Sequence, residues 1–169
     1  MHLKVIHRLT VEPAGYPDTL DGIKRFFRDK YGWAKVYHFL VWPSRVEAWC
    51  PIDQTGAHAA PYNRGSWGIG VIGDWRHREP PQEQWSRAVD LVAGLCWAEY
   101  VTDPWQTVMR HRRDVANVSG HGELVEKNCP GAGCDMDRLR HDVAGAVRWM
   151  MRSYPDMPPA DRLRMIAPI

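Results

Sequence analysis

The start of the chain alternates between apolar and polar side chains, most clearly in LKVIHRL at positions 3–9. A period of two is typical of a β-strand with one buried face, so this segment predicts a strand that ends near His7. The segment PDTLDGIKRFFRDKYG follows, with apolar residues at helical spacing, cap-forming residues at its start and Gly32 at its end. These features predict a first helix after a short loop.

Three further segments, KVYHFLVW, RVEAWC and SWGIGVIGDW, have the composition of strands, and Pro43 and Ser44 predict a turn between the first two. From Pro80 the apolar period becomes helical, and Cys96 falls on the apolar stripe as a buried small hydrophobic residue. TVMRHR predicts another strand, and DMDRLRHDVAGAVRWMMRSY predicts a helix that stops before Pro155. This order favours an α/β fold with a mixed central β-sheet flanked by about three helices.

The composition is that of one globular domain, since 44% of the 169 residues are hydrophobic and 25% are charged. We expect this domain to span residues 1–154, and the proline-rich residues 155–169 to be a C-terminal extension or a linker.

The net charge of +2 gives no support for a nucleic-acid partner. No apolar run reaches the ~20 residues of a membrane helix, and the first residues lack the pattern of a signal peptide. We therefore expect a protein that neither inserts into membranes nor carries a signal peptide. We also expect it to be a monomer.

Nine tryptophans are many for a chain of this length. Most are expected to fill the core, because aromatic side chains bury large areas, while a few exposed ones could stack on sugar rings. Those in or near predicted loops and strand ends are Trp33, Trp42, Trp49, Trp67 and Trp75.

The segment SGHGELVEKNCPG places His121 and Cys129 eight positions apart in a loop with glycines and a Pro-Gly step that can bend both ends toward one point. A catalytic zinc ion takes three protein ligands and leaves one position open. The best-placed third candidate is His7, at the end of the first predicted strand.

The irregular spacing of the four cysteines does not suggest a disulfide framework. A different reading of the same region is a closed structural zinc site made of His121, Cys129, Cys134 and His141.

The pattern as a whole resembles the type 2 N-acetylmuramoyl-L-alanine amidases, a superfamily that includes phage lysozyme-type amidases and peptidoglycan recognition proteins. The resemblance is carried, in this order along the chain, by VIHRLTV, YGWAKVYHFLV, VEAWC, GAHAAPYNRGSWGIGVIG and GHGELVEKNCPG. It implies a zinc enzyme that binds peptidoglycan and hydrolyses the amide bond between N-acetylmuramic acid and the L-alanine of the stem peptide. It also implies that His7, His121 and Cys129 are the zinc ligands.

The resemblance further implies two catalytic residues, Tyr37 of the YHF step and Lys127, two residues before the cysteine. Zinc would polarise the amide carbonyl and activate a water molecule. Lys127 is expected to hold the oxyanion, and Tyr37 to orient the water or donate to the same oxygen. His58 matches a position beside the substrate groove, where it would contact substrate or support its loop. The other candidates for lining this groove are Asn63 and Trp49.

A second histidine motif lies upstream, since RHRRDV is similar to the GHRDV sequence that is common in the family. This motif would make His111 a zinc ligand in place of His121. However, the ligand histidine of the family precedes the metal-binding cysteine by eight residues, and His111 precedes Cys129 by eighteen. We therefore expect His111 on the preceding strand and outside the metal site.

Two alternatives to an amidase stay open: a non-catalytic peptidoglycan-binding module of the same fold, and the structural zinc protein described above. The resemblance also implies that a lysine two residues before the cysteine is a feature of the phage-type members, and Lys127 holds that position. This lysine and the lack of a signal peptide favour the catalytic domain of a phage endolysin. Such a protein would stay in the host cytoplasm until a holin gives it access to the cell wall.

Overall fold

The computed structural model describes residues 1–10, 18–111 and 113–166. Its helices and strands, in chain order, are β1 Leu3–Leu9, α1 Leu20–Tyr31, β2 Phe39–Val41, β3 Val46–Ala48, β4 Ser66–Ile72, α2 Gln82–Ala98, β5 Thr107–Arg110, β6 Arg113–Ala116, β7 Val118–Gly120, α3 His121–Leu124, α4 Met136–Ser153 and α5 Pro159–Ile166. Within this part of the chain, no helix is both long and apolar enough to span a bilayer.

The central sheet has the strand order β3-β2-β4-β1-β7. The strands β2, β4, β1 and β7 run parallel to one another, and the edge strand β3 pairs with β2 in the antiparallel direction. The predicted mixed sheet with flanking helices is therefore confirmed, with α3 and α5 in addition to the three expected helices. The predicted strand TVMRHR forms β5, which pairs only with β6 in a separate two-stranded sheet. Its last residue, Arg112, lies outside the described residues.

The two faces of the sheet carry different kinds of residue because side chains alternate along each strand. Apolar residues from one face, such as Ile6 and Ile69, join the large core cluster with α2 and α4. On the other face lie Val5, within a smaller cluster, and Leu40, which packs with α1. His7 shares the face of Val5, since it follows two positions later, and this face carries the candidate site.

The first helix begins and ends as its sequence predicts. The hydroxyl of Thr19 accepts a hydrogen bond from the Gly22 N–H at 3.1 Å, which caps the helix start. Gly32 ends the helix with a φ of 71°, in the left-handed region that favours glycine. The segment between β1 and this helix, residues 11–17, lies outside the described residues.

The proline-rich tail contains a helix that its weak periodicity did not predict. In α5 the Arg162 side chain is almost completely buried, and it donates to the carbonyl oxygens of Trp97 at 2.9 Å and Met157 at 2.7 Å. Residues 159–166 therefore pack on the end of α2, while residues 167–169 of the expected extension lie outside the described residues.

Candidate metal centre and active-site cavity

Three potential metal ligands come together at one edge of the sheet. His7, His121 and Cys129 each offer a donor atom, and these three atoms lie within 4.8 Å of one another. Two histidine nitrogens and one cysteine sulfur are a donor set that suits zinc with one coordination position left open. Among the described residues this is the one group of three or more such side chains that could hold a metal ion.

The strand register brings the two histidines together. Ile6 of β1 pairs with Gly120 of β7, so the next residues, His7 and His121, lie side by side with ring centroids 4.4 Å apart. The pairing is parallel, and both residues therefore lie toward the carboxyl ends of their strands. Catalytic residues commonly collect at this end of a parallel sheet.

The third ligand is placed by a loop that closes over α3. The Gly122 N–H donates to the carbonyl oxygen of Cys129 at 2.5 Å. A Cβ atom on Gly122 would lie 2.3 Å from the Lys127 carbonyl oxygen, so this close approach requires glycine. The backbone N–H of Arg8 donates to the Cys129 sulfur at 3.4 Å, which fixes the sulfur beside the end of β1.

Burial sets the protonation of the three ligands. It lowers the pKa of His121 to about 4, with the charge of Lys127 acting in the same direction. It also lowers the pKa of His7 well below its ordinary value, so both imidazoles are neutral at pH 7 and offer a lone pair. Burial raises the pKa of the Cys129 thiol, opposed by the N–H and charge of Arg8 and by Lys127. A bound metal ion would deprotonate a coordinating thiol.

A cavity of about 470 Å³ opens onto this group, and both predicted catalytic residues line it. The Tyr37 ring centroid lies 5.1 Å from that of His7, and its pKa is raised by burial and by the neighbouring Cys129. Tyr37 is therefore a protonated phenol at neutral pH and can donate a hydrogen bond. Lys127 is exposed on the loop between the two ligands that follow β7. The structure thus places Tyr37 and Lys127 beside the three potential metal ligands.

The three predicted groove residues occupy different positions. His58 and Asn63 line the cavity, whereas Trp49 is not among the described residues that do so. The Trp49 ring instead packs behind Tyr37, at 6.2 Å between centroids, and its indole N–H donates to the Ala34 carbonyl oxygen at 3.1 Å.

The structural four-ligand zinc site is not assembled in this fold. Cys134 is only 3% exposed and belongs to the core cluster between the sheet and its helices, where burial raises its pKa to about 12. His141 is exposed on α4. Cys134 therefore has a packing role in the core, as Cys96 does.

His111 lies one residue beyond β5, in the turn that follows it, and not on the strand as expected. Its φ is 49° and its ring packs edge-on against Tyr62, with 4.9 Å between centroids. A tight turn with a left-handed residue ends the strand early. His111 is not part of the group of potential metal ligands, in agreement with the spacing argument.

Two supporting residues, Glu123 and Arg140, hold the segment that carries His121. Glu123 accepts a hydrogen bond from the Gly120 N–H at 2.6 Å, immediately before His121, and contacts the guanidinium of Arg140. Arg140 is 5% exposed and also donates to the Val118 carbonyl oxygen at 2.8 Å. These contacts fix β7 and α3 on α4. Their only sequence signal is an acidic residue three positions after a helix start.

The chain belongs to the type 2 N-acetylmuramoyl-L-alanine amidase family. The Amidase_2 family model, described as N-acetylmuramoyl-L-alanine amidase, matches residues 3–132, which include the three potential ligands. Peptidoglycan-recognition protein LB of Drosophila melanogaster is 36% identical over 76 residues. That match covers 45% of this chain and 28% of the recognition protein, less than a third of its length.

Solved structures of the same superfamily have the same fold. The amidase LysC from Clostridium intestinale has a TM-score of 0.68 at 18% identity, over 84% of each chain. The Ph2119 endolysin from a bacteriophage of Thermus scotoductus has a TM-score of 0.62 at 23% identity, also over 84% of each chain. The complex of Drosophila recognition proteins LCa and LCx with tracheal cytotoxin matches with a TM-score of 0.61 at 26% identity, over 79% of this chain and 77% of that one.

Proposed function

We propose that this protein is a zinc-dependent N-acetylmuramoyl-L-alanine amidase. Its substrate would be the amide bond between N-acetylmuramic acid and the L-alanine of the peptidoglycan stem peptide. The observation that carries the proposal is the convergence of His7, His121 and Cys129 at the floor of a cavity that Tyr37 and Lys127 also line. Membership of the amidase family supports the reaction class.

The donor set fits zinc, because two neutral imidazoles and a thiol that can ionise supply three ligands. A zinc ion held there by His7, His121 and Cys129 would supply Lewis-acid chemistry toward the amide carbonyl and toward a water molecule. The protein's own contribution is to hold the reacting groups. The ammonium of Lys127 stabilises the oxyanion of the tetrahedral intermediate, and the Tyr37 phenol donates a hydrogen bond to the same oxygen or to the attacking water.

The substrate would enter through the open side of the same cavity. Tyr31 and Trp33 form one part of its wall, with rings stacked at 4.8 Å between centroids and an interplanar angle of 22°. They are 45% and 42% exposed, which is unusual for large aromatic side chains beside a cavity. A flat exposed ring pair of this kind suits the apolar face of a sugar of the glycan strand.

The experiment that tests the proposal is digestion of purified cell walls. We expect newly freed amino groups of alanine without new reducing sugar ends, because the amide and not a glycosidic bond is cut. A chelator should stop the release, and added zinc should restore it. New reducing ends without freed alanine would identify a glycosidase and overturn the proposal.

A non-catalytic recognition module is the second candidate, favoured by the sequence match to a peptidoglycan-recognition protein. Zinc content alone does not separate the two functions, since a recognition module with the same three ligands could bind the ion as well. Turnover does: saturable wall binding with no release of alanine amino groups at any zinc concentration would establish the module.

We further infer that the biological setting is lysis of a bacterial host by a phage. The fold similarity to the Ph2119 endolysin and the lysine at position 127 support this inference. The protein would accumulate in the host cytoplasm and act once a holin opens the membrane. Expression in a susceptible bacterium should leave cells intact until chloroform permeabilises the membrane, and rapid lysis should follow. Intact cell density after chloroform treatment would argue against this setting.

A further inference from the structure

A chain of hydrogen bonds runs from two backbone carbonyl groups through Ser66 and His58 to the potential ligand His7. The Ser66 hydroxyl oxygen lies 2.5 Å from the carbonyl oxygen of Tyr62 and 2.9 Å from that of Asn63. Carbonyl oxygens only accept hydrogen bonds, so the single hydroxyl proton of Ser66 is directed toward them. The Ser66 oxygen is then an acceptor at its other contact, His58 Nε2 at 3.2 Å.

This direction determines which nitrogen carries the proton in each of the two rings. A neutral imidazole has one N–H, and in His58 it must be on Nε2, which donates to Ser66. The Nδ1 atom of His58 is therefore an acceptor. His7 Nε2 lies 3.2 Å from that Nδ1, so His7 must donate through Nε2–H. The lone pair of His7 is consequently on Nδ1.

We propose that Ser66 and His58 are positioning residues that hold His7 as its Nε2–H tautomer and thereby assign Nδ1 as its zinc-binding atom. This inference rests on the proposed zinc-dependent function. It gives His58 a role toward the ligand His7, which differs from both roles expected from the sequence, substrate contact or support of its loop. Ligand histidines in metal sites generally donate their second ring N–H to an acceptor that fixes their orientation.

The surroundings of His58 hold its ring in place. The Asn63 side-chain oxygen accepts hydrogen bonds from the backbone N–H groups of His58 at 3.0 Å and of Ala59 at 2.5 Å. The ring lies against Gly68 of β4, where a Cβ atom would be 2.5 Å from the His58 Cγ. His58 is only 8% exposed. Asn63 and Gly68 therefore restrict the loop and the ring, so the acceptor atom presented to His7 stays fixed.

The first test measures zinc affinity, by competition with a chromophoric chelator, in the full-length protein. The variants His58→Ala and Ser66→Ala should each lower zinc affinity, by roughly 10-fold to 100-fold for the direct partner. His58→Asn keeps a side-chain carbonyl oxygen near the position of Nδ1 and should recover most of the affinity. His141→Ala is the matched control, because His141 is exposed on α4 and outside the ligand group, and it should leave affinity unchanged.

The second test reads the tautomers directly, by long-range ¹H–¹⁵N correlation NMR of the histidine-labelled wild-type protein with zinc and after chelation. We expect the ring proton on Nε2 in both His7 and His58. A proton on Nδ1 of His7, or unchanged zinc affinity in both His58→Ala and Ser66→Ala, would overturn the inference. If the variants do not fold, the wild-type spectra decide. If the protein binds no zinc, the proposed function fails, whereas the spectrum of the metal-free protein still tests the hydrogen-bond chain.

Discussion

Lys127 is the one positively charged side chain that lies between the two potential ligands of the segment after β7, His121 and Cys129. The side chain of Lys127 is exposed to solvent, whereas those of the two potential ligands are buried or half-buried. An exposed lysine that lines the cavity can meet the developing charge on a substrate without contributing to the fold. Its role should therefore be separable from metal binding and from stability.

We expect Lys127→Ala to retain its zinc and its unfolding midpoint while its turnover on cell walls falls by about 10²-fold, as after removal of one oxyanion donor. Lys24→Ala is the control, because Lys24 is a lysine of α1 that does not line the cavity. Initial rates of alanine amino-group release, measured at equal zinc content, provide the comparison. A Lys127→Ala protein with wild-type turnover would remove this residue from the mechanism.

At the scale of elements, the strongly periodic segments are the ones that the sequence predicts correctly. The strand β1 has a clear period of two, and the helices α1, α2 and α4 have a clear period of 3.6. The strand β7, with the sequence VSG, carries no such pattern and becomes a strand because β1 offers it hydrogen-bond partners. The loop contacts of Gly122 and Ser66 were equally unpredictable, since they depend on residues that approach only in the folded chain.

Gly122, in α3, lies against the loop that carries Lys127 and Cys129. We expect Gly122→Ala to displace the loop that carries Lys127 and Cys129, because the new Cβ would lie 2.3 Å from a backbone oxygen that cannot move independently. Zinc affinity should fall by at least about 10-fold, a loss comparable to that of a supporting contact in other metal sites. Isothermal titration with zinc measures the effect.

The control for this change is Gly145→Ala in α4. A Cβ atom there meets nothing within 4 Å, so the substitution should leave zinc affinity unchanged. It should also stabilise the protein by roughly 0.5–1 kcal/mol through the higher helix propensity of alanine. Equal zinc affinities of Gly122→Ala and Gly145→Ala would show that the close approach at Gly122 does not determine the loop.

The end of α1 and the residues after it supply the aromatic wall of the cavity. We expect Trp33→Ala to raise KM for cell walls several-fold with little change in kcat, because stacking on an exposed ring is worth about 1 kcal/mol and does not change on reaction. Trp149→Ala, which removes a still more exposed tryptophan from α4, should leave both constants unchanged. A fall in kcat at constant KM would place Trp33 in the chemistry instead.

At the scale of the whole molecule, a buried ion pair joins the start of the sheet to the end of α2. Lys4 is fully buried, and its ammonium donates to Glu99 at 2.6 Å, to the Asn117 side-chain oxygen at 3.1 Å and to the His2 carbonyl oxygen at 3.0 Å. A lysine in LKVIHRL would be assigned to the solvent face by its alternation. Both faces of β1 are in fact covered, so Lys4 and His7 are buried with partners that no local pattern reveals.

Loss of this pair should destabilise the fold far from the metal centre. We expect Lys4→Met to lower the free energy of unfolding by about 3–5 kcal/mol, because Glu99 loses a charged partner in a largely buried site. Adding Glu99→Gln to that variant should recover part of the loss. Urea unfolding measures both effects, and a change in the Lys4→Met variant below about 0.5 kcal/mol would mean that the pair behaves as a surface contact.

The same pair predicts how stability depends on pH. Burial raises the pKa of Glu99, but hydrogen bonds from His2 and the charge and hydrogen bond of Lys4 lower it more, to about 2 from 4.5. A carboxyl with a lowered pKa in the folded state stabilises the protein fully above pH 4.5, and this contribution is lost as the pH falls toward 2. In Lys4→Met the pKa of Glu99 rises, so its acid unfolding midpoint, followed by circular dichroism, should move to higher pH than in the wild type. An unchanged acid midpoint would show that Met1 and His2 keep Glu99 ionised without Lys4.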